Sequence, residues 1–129
     1  MAPLYEFADR LRYRRHGDLG QRGEDLAHRW LRAHGYTVAA RNWRPPQGGG
    51  ELDLVAWKGE LVVFVEVKTR QEGAGSAPER GIDPEKERVL RRAARDYLRR
   101  SGVAAEQLRF DVITVVGTAV EHLPDAFPV

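Results

Sequence analysis

The fold is decided by residues 51–70, which read ELDLVAWKGELVVFVEVKTR. Two runs rich in β-branched and other apolar residues flank Lys58-Gly59, a pattern typical of a β-hairpin. The second run is apolar on both faces from Leu61 to Val65, which predicts a strand in the middle of a sheet. The segment therefore predicts two neighbouring antiparallel strands, over residues 51–57 and 60–69.

The rest of the chain adds helices and further strands around this hairpin. Apolar residues at helical spacing predict one helix over residues 21–34 and a second from Pro84 to about Ser101. Short apolar runs predict three more strands, at residues 36–40, 108–116 and 120–123. The order α-β-β-β-α-β-β, in which a helix connects two strands, favours an α/β fold with a mixed central sheet flanked by helices.

Length and composition favour one domain preceded by a short arm. The chain has 129 residues, of which 42% are hydrophobic and 31% are charged, and these values are typical of a single folded domain. Residues 1–19 combine apolar residues at helical spacing with a basic stretch, so we interpret them as a basic arm or short helix. The single domain is assigned to residues 20–129.

The sequence lacks cysteine, long apolar runs and a secretory signal. The absence of cysteine excludes disulfide scaffolds, zinc ribbons and cysteine nucleophiles. No apolar run approaches the ~20 residues that a membrane-spanning helix needs. The N-terminus has neither the charged start nor the apolar centre of a signal peptide. We therefore expect a cytoplasmic protein with no membrane partner.

Basic residues are abundant, and nearly all of them are arginine. Of the 21 basic residues, only Lys58, Lys68 and Lys86 are lysine. Arginine binds phosphate through two parallel hydrogen bonds, so one explanation is a nucleic-acid partner. A GC-rich or thermophilic genome explains the bias equally well. The net charge of +2 adds only weak support for a polyanionic partner.

Strand alternation places the ionisable residues of the hairpin on shared faces. Glu51 and Asp53 are two residues apart on the first strand, as are Glu66 and Lys68 on the second. Side chains two residues apart in a strand point to the same side, so pairing of the strands can bring all four groups to one surface. On the first helix, Glu24 lies beside the apolar stripe and can face the sheet.

An acid and a lysine within an apolar strand are costly to bury unless they are paired or bind an ion. A buried ion pair between Glu66 and Lys68 is one explanation. The further acids favour the second explanation, the binding of an ion, because Asp53 and Glu66 offer two hard oxygen ligands suited to Mg²⁺ or Mn²⁺. Such a cation polarises a phosphoryl oxygen and activates water. Lys68 would then orient the attacking water or stabilise the developing charge, and Glu24 would hold a coordinated water or a second ion.

Several motifs resemble those of an uncharacterised bacterial family, the YraN-type proteins. They are GEDLA from Gly23, NWR from Asn42, GELDLV from Gly50, VFVEVKTR from Val63, FDVI from Phe110 and HLPDAF from His122. The resemblance covers residues 20–127. YraN-type proteins are similar to archaeal Holliday-junction resolvases and have the restriction-endonuclease-like fold, with its Glu…Asp…Glu-x-Lys signature. The resemblance therefore implies that fold for this chain.

The resemblance also implies a catalytic set of four acids and one lysine, namely Glu24, Glu51, Asp53, Glu66 and Lys68. Within this set, Asp53 and Glu66 correspond to metal ligands, and the carbonyl of Val67 commonly joins the metal shell in this fold. Lys68 corresponds to the catalytic lysine. Glu51 belongs to the YraN-type pattern rather than to the wider signature, so the resemblance gives it no defined role.

These observations predict a divalent-metal-dependent nuclease that hydrolyses phosphodiester bonds of DNA, with branched or otherwise structured DNA as a candidate substrate. Arg44 and Arg70 flank the site in sequence and Lys86 opens the second helix, so all three are predicted to contact nucleic acid. Two alternatives stay open: a non-catalytic nucleic-acid-binding module of the same fold, and a structural or interaction protein. Many nucleases of this fold act as two-fold dimers, so a homodimer is a further expectation.

Other polar and aromatic residues receive simpler interpretations. Asp25 is expected to be solvated, and His122 to be structural. Asp111 lies in an apolar strand and either supports the site or pairs with an arginine. Trp43 and Trp57 either pack in the core or stack on bases.

Overall fold

The computed structural model describes residues 19–73, 82–103 and 106–129. Within these ranges, helix α1 covers residues 19–33, and it is followed by β1 (Thr37–Trp43), β2 (Leu52–Lys58), β3 (Leu61–Arg70), α2 (Pro84–Ser101), β4 (Gln107–Val116) and β5 (Ala119–Phe127). This order confirms the predicted α/β class. The arm predicted for residues 1–19 lies outside the described residues except for Leu19, and so does most of the loop between β3 and α2.

The strands form one mixed sheet in the order β1-β2-β3-β4-β5. β1, β2 and β3 are antiparallel neighbours, whereas β3 and β4 are parallel. A parallel pair needs a long crossover, and α2 lies within it. β5 returns antiparallel to β4 at the edge of the sheet. β3 therefore lies at the centre, as its run of apolar residues on both faces predicts.

The β2–β3 hairpin turns where the sequence predicts it. Lys58 pairs with Leu61, so Gly59 and Glu60 form a two-residue turn. Gly59 has a φ of 60°, a left-handed conformation that glycine adopts without strain. The turn fixes the register of the two strands, and with it the relative positions of the acidic residues at their other ends.

Each face of the sheet packs against one helix. The core on the α1 side includes Ala27, Leu31, Leu54, Val65 and Ile113. The core on the α2 side includes Val55, Phe64, Leu90, Tyr97 and Phe110. Both faces of β2 and β3 are buried in this way, which explains their nearly continuous apolar sequence. In the described parts of the chain, no helix is long and apolar enough to cross a membrane.

Helix α2 begins and ends at well-formed caps. The side chain of Asp83 accepts a hydrogen bond from the backbone N–H of Lys86 at 2.9 Å, and Pro84 occupies the first turn. At the other end, Gly102 is left-handed with a φ of 69°. The Asp83 cap fixes the start of the helix and therefore the position of Lys86.

Two strands are longer than the apolar pattern predicts. β1 continues to Trp43 even though Asn42 has a φ of 52°. β5 continues through Pro124 to Phe127. β5 is an edge strand, where the missing N–H of a proline is tolerated. Pairing with a neighbouring strand, which the local pattern does not reveal, extends both strands.

Candidate metal centre

Three carboxylates converge where α1 meets the start of β2. Glu24, Glu51 and Asp53 each offer one oxygen, and these oxygens lie within 4.8 Å of one another. All three residues are half-buried. The donors are all carboxylate oxygens, a set that fits a hard divalent cation such as Mg²⁺ or Mn²⁺.

Glu66 lies beside Asp53 but is not one of the three clustered carboxylates. Its carboxylate is within hydrogen-bonding reach of the Asp53 carboxyl group. The Glu66 side chain is only 14% exposed, and its Oε2 lies 3.3 Å from Nζ of Lys86. Asp53 is therefore the shared member of the site, because it adjoins both Glu66 and the group formed with Glu24 and Glu51.

Burial raises the pKa of Asp53 well above its usual range. The carboxylate of Glu66 raises this pKa further, and that of Glu24 contributes in the same direction. The opposing influence is a hydrogen bond from the backbone N–H of Val67 to Oδ2 of Asp53, at 2.9 Å. Crowded carboxylates disfavour ionisation, whereas a cation bound among them would favour it.

Gly23 allows α1 to approach β3 closely. A Cβ added at residue 23 would lie 2.1 Å from Oγ1 of Thr69, far inside any real contact. Any larger residue here would require the Thr69 side chain to move. The close approach brings the next residue, Glu24, against the end of the sheet.

Gly50, directly before Glu51, allows a similarly close approach, here between the loop before β2 and helix α2. It has a φ of 128°, and an added Cβ would lie 2.7 Å from Cγ1 of Val89 on α2. Both the backbone conformation and the lack of space require glycine at this position. The loop before β2 thus packs on α2 and leads the chain into the strand with Glu51 at its entrance.

Donors from the end of β1 hold Glu24 and Glu51. Nδ2 of Asn42 donates to Oε2 of Glu24 and to Oε1 of Glu51, each at 3.0 Å. Arg41 lies 3.5 Å from Oε1 of Glu24, and Nε of Arg44 donates to Oε2 of Glu51 at 2.8 Å. Each carboxylate is therefore oriented through both of its oxygens.

Asp25 was predicted to be solvated, and 37% of its side chain is indeed exposed, but the carboxylate is also ion-paired. It accepts hydrogen bonds from Nη1 of Arg41 at 2.8 Å and from Nε2 of Gln21 at 3.2 Å. The Arg41 side chain is only 3% exposed, so Asp25 partners a buried guanidinium. The sequence did not reveal this ion pair, because β1 continues beyond its apolar pattern and brings Arg41 under α1. Burial and the charge of Arg41 also lower the pKa of the neighbouring His28 to about 4.

Lys68 lies further along β3 than Glu66. It is half-buried and pairs across the sheet with Thr114 of β4. Strand alternation places it on the same side of the sheet as Glu66. Val67 lies between them, and its N–H is the group that donates to Asp53.

The three residues predicted to contact nucleic acid have different surroundings. Arg44 is 50% exposed and binds Glu51 at 2.8 Å, and Lys86 is 46% exposed and lies against Glu66. Arg70 is exposed at the end of β3. Two of the three therefore contact acids of the site, a relationship that the sequence did not predict.

Asp111 belongs to another polar network. Its two carboxylate oxygens accept hydrogen bonds from Arg109, each at 2.8 Å, and Nε2 of His122 lies 2.7 Å from Oδ2. Nε1 of Trp30 donates to Nδ1 of His122 at 3.3 Å. Burial raises the pKa of Asp111, but the hydrogen bonds from His122 and Arg109 outweigh it, so the pKa lies below its usual value. Asp111 thus pairs with an arginine, and the interpretation of His122 as structural agrees with these contacts.

Trp43 and Trp57 are both partly buried against the α2-side core. The ring of Trp43 meets that of Tyr97 edge-on, with 5.3 Å between the ring centres. Of the two interpretations of these tryptophans, packing in the core is therefore the one that the contacts favour.

The sequence profile of a family described as "Uncharacterised protein family UPF0102" matches residues 23–115. The chain belongs to the UPF0102 family. A UPF0102 protein of Solibacter usitatus is 51% identical over 128 residues, which cover 96% of this chain and 97% of that protein. A UPF0102 protein of Koribacter versatilis is 45% identical over a match that covers 78% of this chain and 69% of that protein. A UPF0102 protein of Porphyromonas gingivalis is 42% identical over a match that covers 88% of this chain and 86% of that protein.

UPF0102 membership is consistent with the YraN-type resemblance. The matched range includes all of the predicted catalytic residues. The family description names no activity, so membership establishes the relationship but not a reaction.

Sequence reasoning missed Arg41 and Asn42 as residues of the site. Arg41 directly follows the predicted strand, and Asn42 is the first residue of the NWR motif that carries part of the YraN-type resemblance. Two polar residues directly after an apolar strand, one of them within a motif that carries the resemblance, were the signal that could have identified them. In the structure both contact Glu24.

Proposed function

We propose that this UPF0102 member is a divalent-metal-dependent endonuclease that hydrolyses phosphodiester bonds of DNA. The observation that carries the proposal is the convergence of Glu24, Glu51 and Asp53 within 4.8 Å, with Glu66 beside Asp53. Half-buried carboxylates this close together repel one another unless a cation or a proton intervenes. A bound divalent cation would turn this repulsion into coordination.

In the proposed site, Asp53 and Glu66 ligate Mg²⁺ or Mn²⁺, together with the carbonyl of Val67. When bound, the cation polarises a phosphoryl oxygen and lowers the pKa of a coordinated water. Glu24 and Glu51 orient water or hold a second ion. The hydrogen bond from Val67 to Oδ2 of Asp53 supports this assignment, because it fixes the orientation of that carboxyl group.

Lys68 is the proposed catalytic lysine. Its ammonium group orients the attacking water or stabilises the negative charge that develops on the phosphate. Its half-burial and its place on the same side of the sheet as Glu66 support this role.

Arg44, Arg70 and Lys86 are the proposed contacts to the DNA backbone. Arg44 and Lys86 are about half-exposed even while they contact Glu51 and Glu66, so each retains donors that a phosphate can reach. Branched or otherwise structured DNA is the proposed substrate, and a homodimer is the proposed assembly, because cutting two strands requires two sites.

Cleavage assays with matched variants test the proposal. Purified protein is incubated with nicked, branched and single-stranded DNA in Mg²⁺ or Mn²⁺. We expect cleavage by the wild type and a loss of at least about 100-fold in Asp53→Asn and Glu66→Gln, since each removes a ligand. Glu85→Gln, at an exposed acid of α2 that pairs with Arg88, serves as the control and should cleave normally. A wild type that cleaves none of these substrates, or ligand variants that cleave as it does, would contradict the proposal.

A non-catalytic nucleic-acid-binding module of the same fold is the second candidate. The observation that favours it is that Arg44 and Lys86 already partner Glu51 and Glu66, so cationic side chains can neutralise these acids. This candidate requires salt-dependent DNA binding that needs no metal and survives Asp53→Asn. Binding measured in EDTA distinguishes the two candidates from each other.

A further inference from the structure

One amide group joins two acids of the proposed site. Nδ2 of Asn42 lies 3.0 Å from Oε2 of Glu24 and 3.0 Å from Oε1 of Glu51. An amide nitrogen carries two hydrogens, so one hydrogen is available for each carboxylate. Glu24 comes from α1 and Glu51 from the entrance of β2, and Asn42 is thus a bridge between two elements that are distant in sequence.

The backbone at Asn42 is suited to this bridge. Asn42 is buried near the end of β1 and has a φ of 52°, in the left-handed region. Asparagine and aspartate tolerate this conformation better than other residues that carry a side chain. Aspartate would place a third carboxylate between the two, whereas asparagine places a donor there.

The bridging amide is electrically neutral, so it does not repel a cation that binds to the two carboxylates. A lysine or arginine at the same position would hold the two carboxylates with a full positive charge, which would repel a divalent ion. An amide orients the carboxylates without adding charge. The guanidinium groups of Arg41 and Arg44 contact the other oxygens, Oε1 of Glu24 and Oε2 of Glu51.

We propose that Asn42 is a positioning residue that sets the spacing of Glu24 and Glu51, and thereby prepares the site for a divalent cation. Its role in cation binding rests on the proposed function, whereas its role in holding the two carboxylates does not. Groups that orient metal-ligating residues typically change metal affinity by 10–100-fold when they are removed.

Two substitutions separate the effect of the amide from that of the backbone. Asn42→Gly accepts a positive φ without strain and removes the amide. Asn42→Asp keeps the size of the side chain and also tolerates a positive φ, but replaces the donor with a carboxylate oxygen. Asp125→Gly is the matched control, since Asp125 is the other non-glycine residue with a positive φ in the described ranges, at 55°, and lies exposed on β5.

The measurements are Mn²⁺ affinity by calorimetry and thermal unfolding in EDTA and in Mn²⁺. We expect Asn42→Gly to bind Mn²⁺ about tenfold more weakly than the wild type. In EDTA, Asn42→Asp should unfold at a lower temperature than Asn42→Gly, because three carboxylates then repel one another. Mn²⁺ should raise the unfolding temperature of Asn42→Asp by more than it raises that of the wild type. A residue that was merely structural would lower the unfolding temperature equally in both solutions.

The outcomes separate this inference from the proposed function. Unchanged Mn²⁺ affinity in a folded Asn42→Gly, or equal stability of the two variants in EDTA, overturns the positioning role. A wild type that binds no Mn²⁺ refutes the metal site, and the comparison in EDTA then still decides whether Asn42 holds the two carboxylates. If Asn42→Gly does not fold, a Mn²⁺-induced shift in Asn42→Asp no larger than that of the wild type overturns the inference.

Discussion

The carboxyl group of Asp53 lies within hydrogen-bonding reach of Glu66, across the β2–β3 hairpin. The paired ladder of these strands ends at Leu54 and Val65, so the two acids lie just beyond its last pair. There the strands no longer pair residue by residue, and the side chain of Asp53 accepts a hydrogen bond from the backbone of β3 instead. The register of the hairpin, continued by one position beyond Leu54 and Val65, places Asp53 opposite Glu66.

This arrangement predicts that the site acids reduce stability when no metal is present. Asp53→Asn and Glu66→Gln each remove one of two mutually repelling carboxylates, so the free energy of unfolding in EDTA should rise by about 0.5–2 kcal/mol. Both variants should also lose Mn²⁺ binding. Chemical denaturation in EDTA, alongside calorimetry, measures the two effects. Marked destabilisation in EDTA would instead favour a purely structural role for these acids.

Lys86 and a divalent cation are predicted to compete for Glu66. The Lys86 ammonium lies 3.3 Å from Oε2 of Glu66 and is partly exposed. An ion pair of this kind contributes up to about 1 kcal/mol, so Lys86→Met should tighten Mn²⁺ binding by up to about fivefold. Lys58→Met, at the opposite end of the hairpin, is the matched control and should leave Mn²⁺ affinity unchanged. Weaker Mn²⁺ binding in Lys86→Met would show that Lys86 supports the site rather than competing for it.

His28 is predicted to make stability depend on pH between about 6.5 and 4. Burial and the charge of Arg41 lower the pKa of His28 from 6.5 to about 4 in the folded protein. The unfolded chain therefore binds a proton more readily, so this stability is fully present above pH 6.5 and is lost as the pH falls towards 4. Unfolding by urea across this range should show a shallower decline in His28→Asn than in the wild type. Parallel profiles for the two proteins would contradict the assignment.

The network around Asp111 is predicted to stabilise the fold without affecting metal binding. Asp111→Ala leaves Arg109 and His122 without their buried carboxylate, so the free energy of unfolding should fall by about 3–5 kcal/mol. Among the described contacts, Asp111 shares no hydrogen-bond partner with Asp53 or Glu66. Mn²⁺ affinity, measured at a temperature where the variant is folded, should therefore match that of the wild type. A parallel loss of affinity would mean that this network supports the site.

Much of the fold was predictable because its signals are local. The hairpin turn at Gly59, the apolar run that makes β3 central and the caps of α2 each depend on a few neighbouring residues. The end of β1 was not predictable in this way. Its extension depends on pairing with β2, and the unexpected positions of Arg41 and Asn42 follow from that extension.

For the site, the sequence predicted which acids share a strand face, but not the contacts that complete the site. Alternation along β2 and the position of Glu24 on α1 indicated acids that could converge. The contact between Lys86 and Glu66 depends on where the start of α2 lies against the sheet, and no local pattern specifies that. The bridge formed by Asn42 depends in turn on the close approach that Gly23 allows between α1 and β3.

Anomalous diffraction from crystals grown with Mn²⁺ tests the central claim most directly. We expect an anomalous peak between the carboxylates of Asp53 and Glu66, within coordination distance of both, with Lys86 displaced from Glu66. Crystals of Asp53→Asn should lack that peak. The proposed metal site would be contradicted by well-diffracting wild-type crystals that, at saturating Mn²⁺, show no peak at this position and still have Lys86 bound to Glu66.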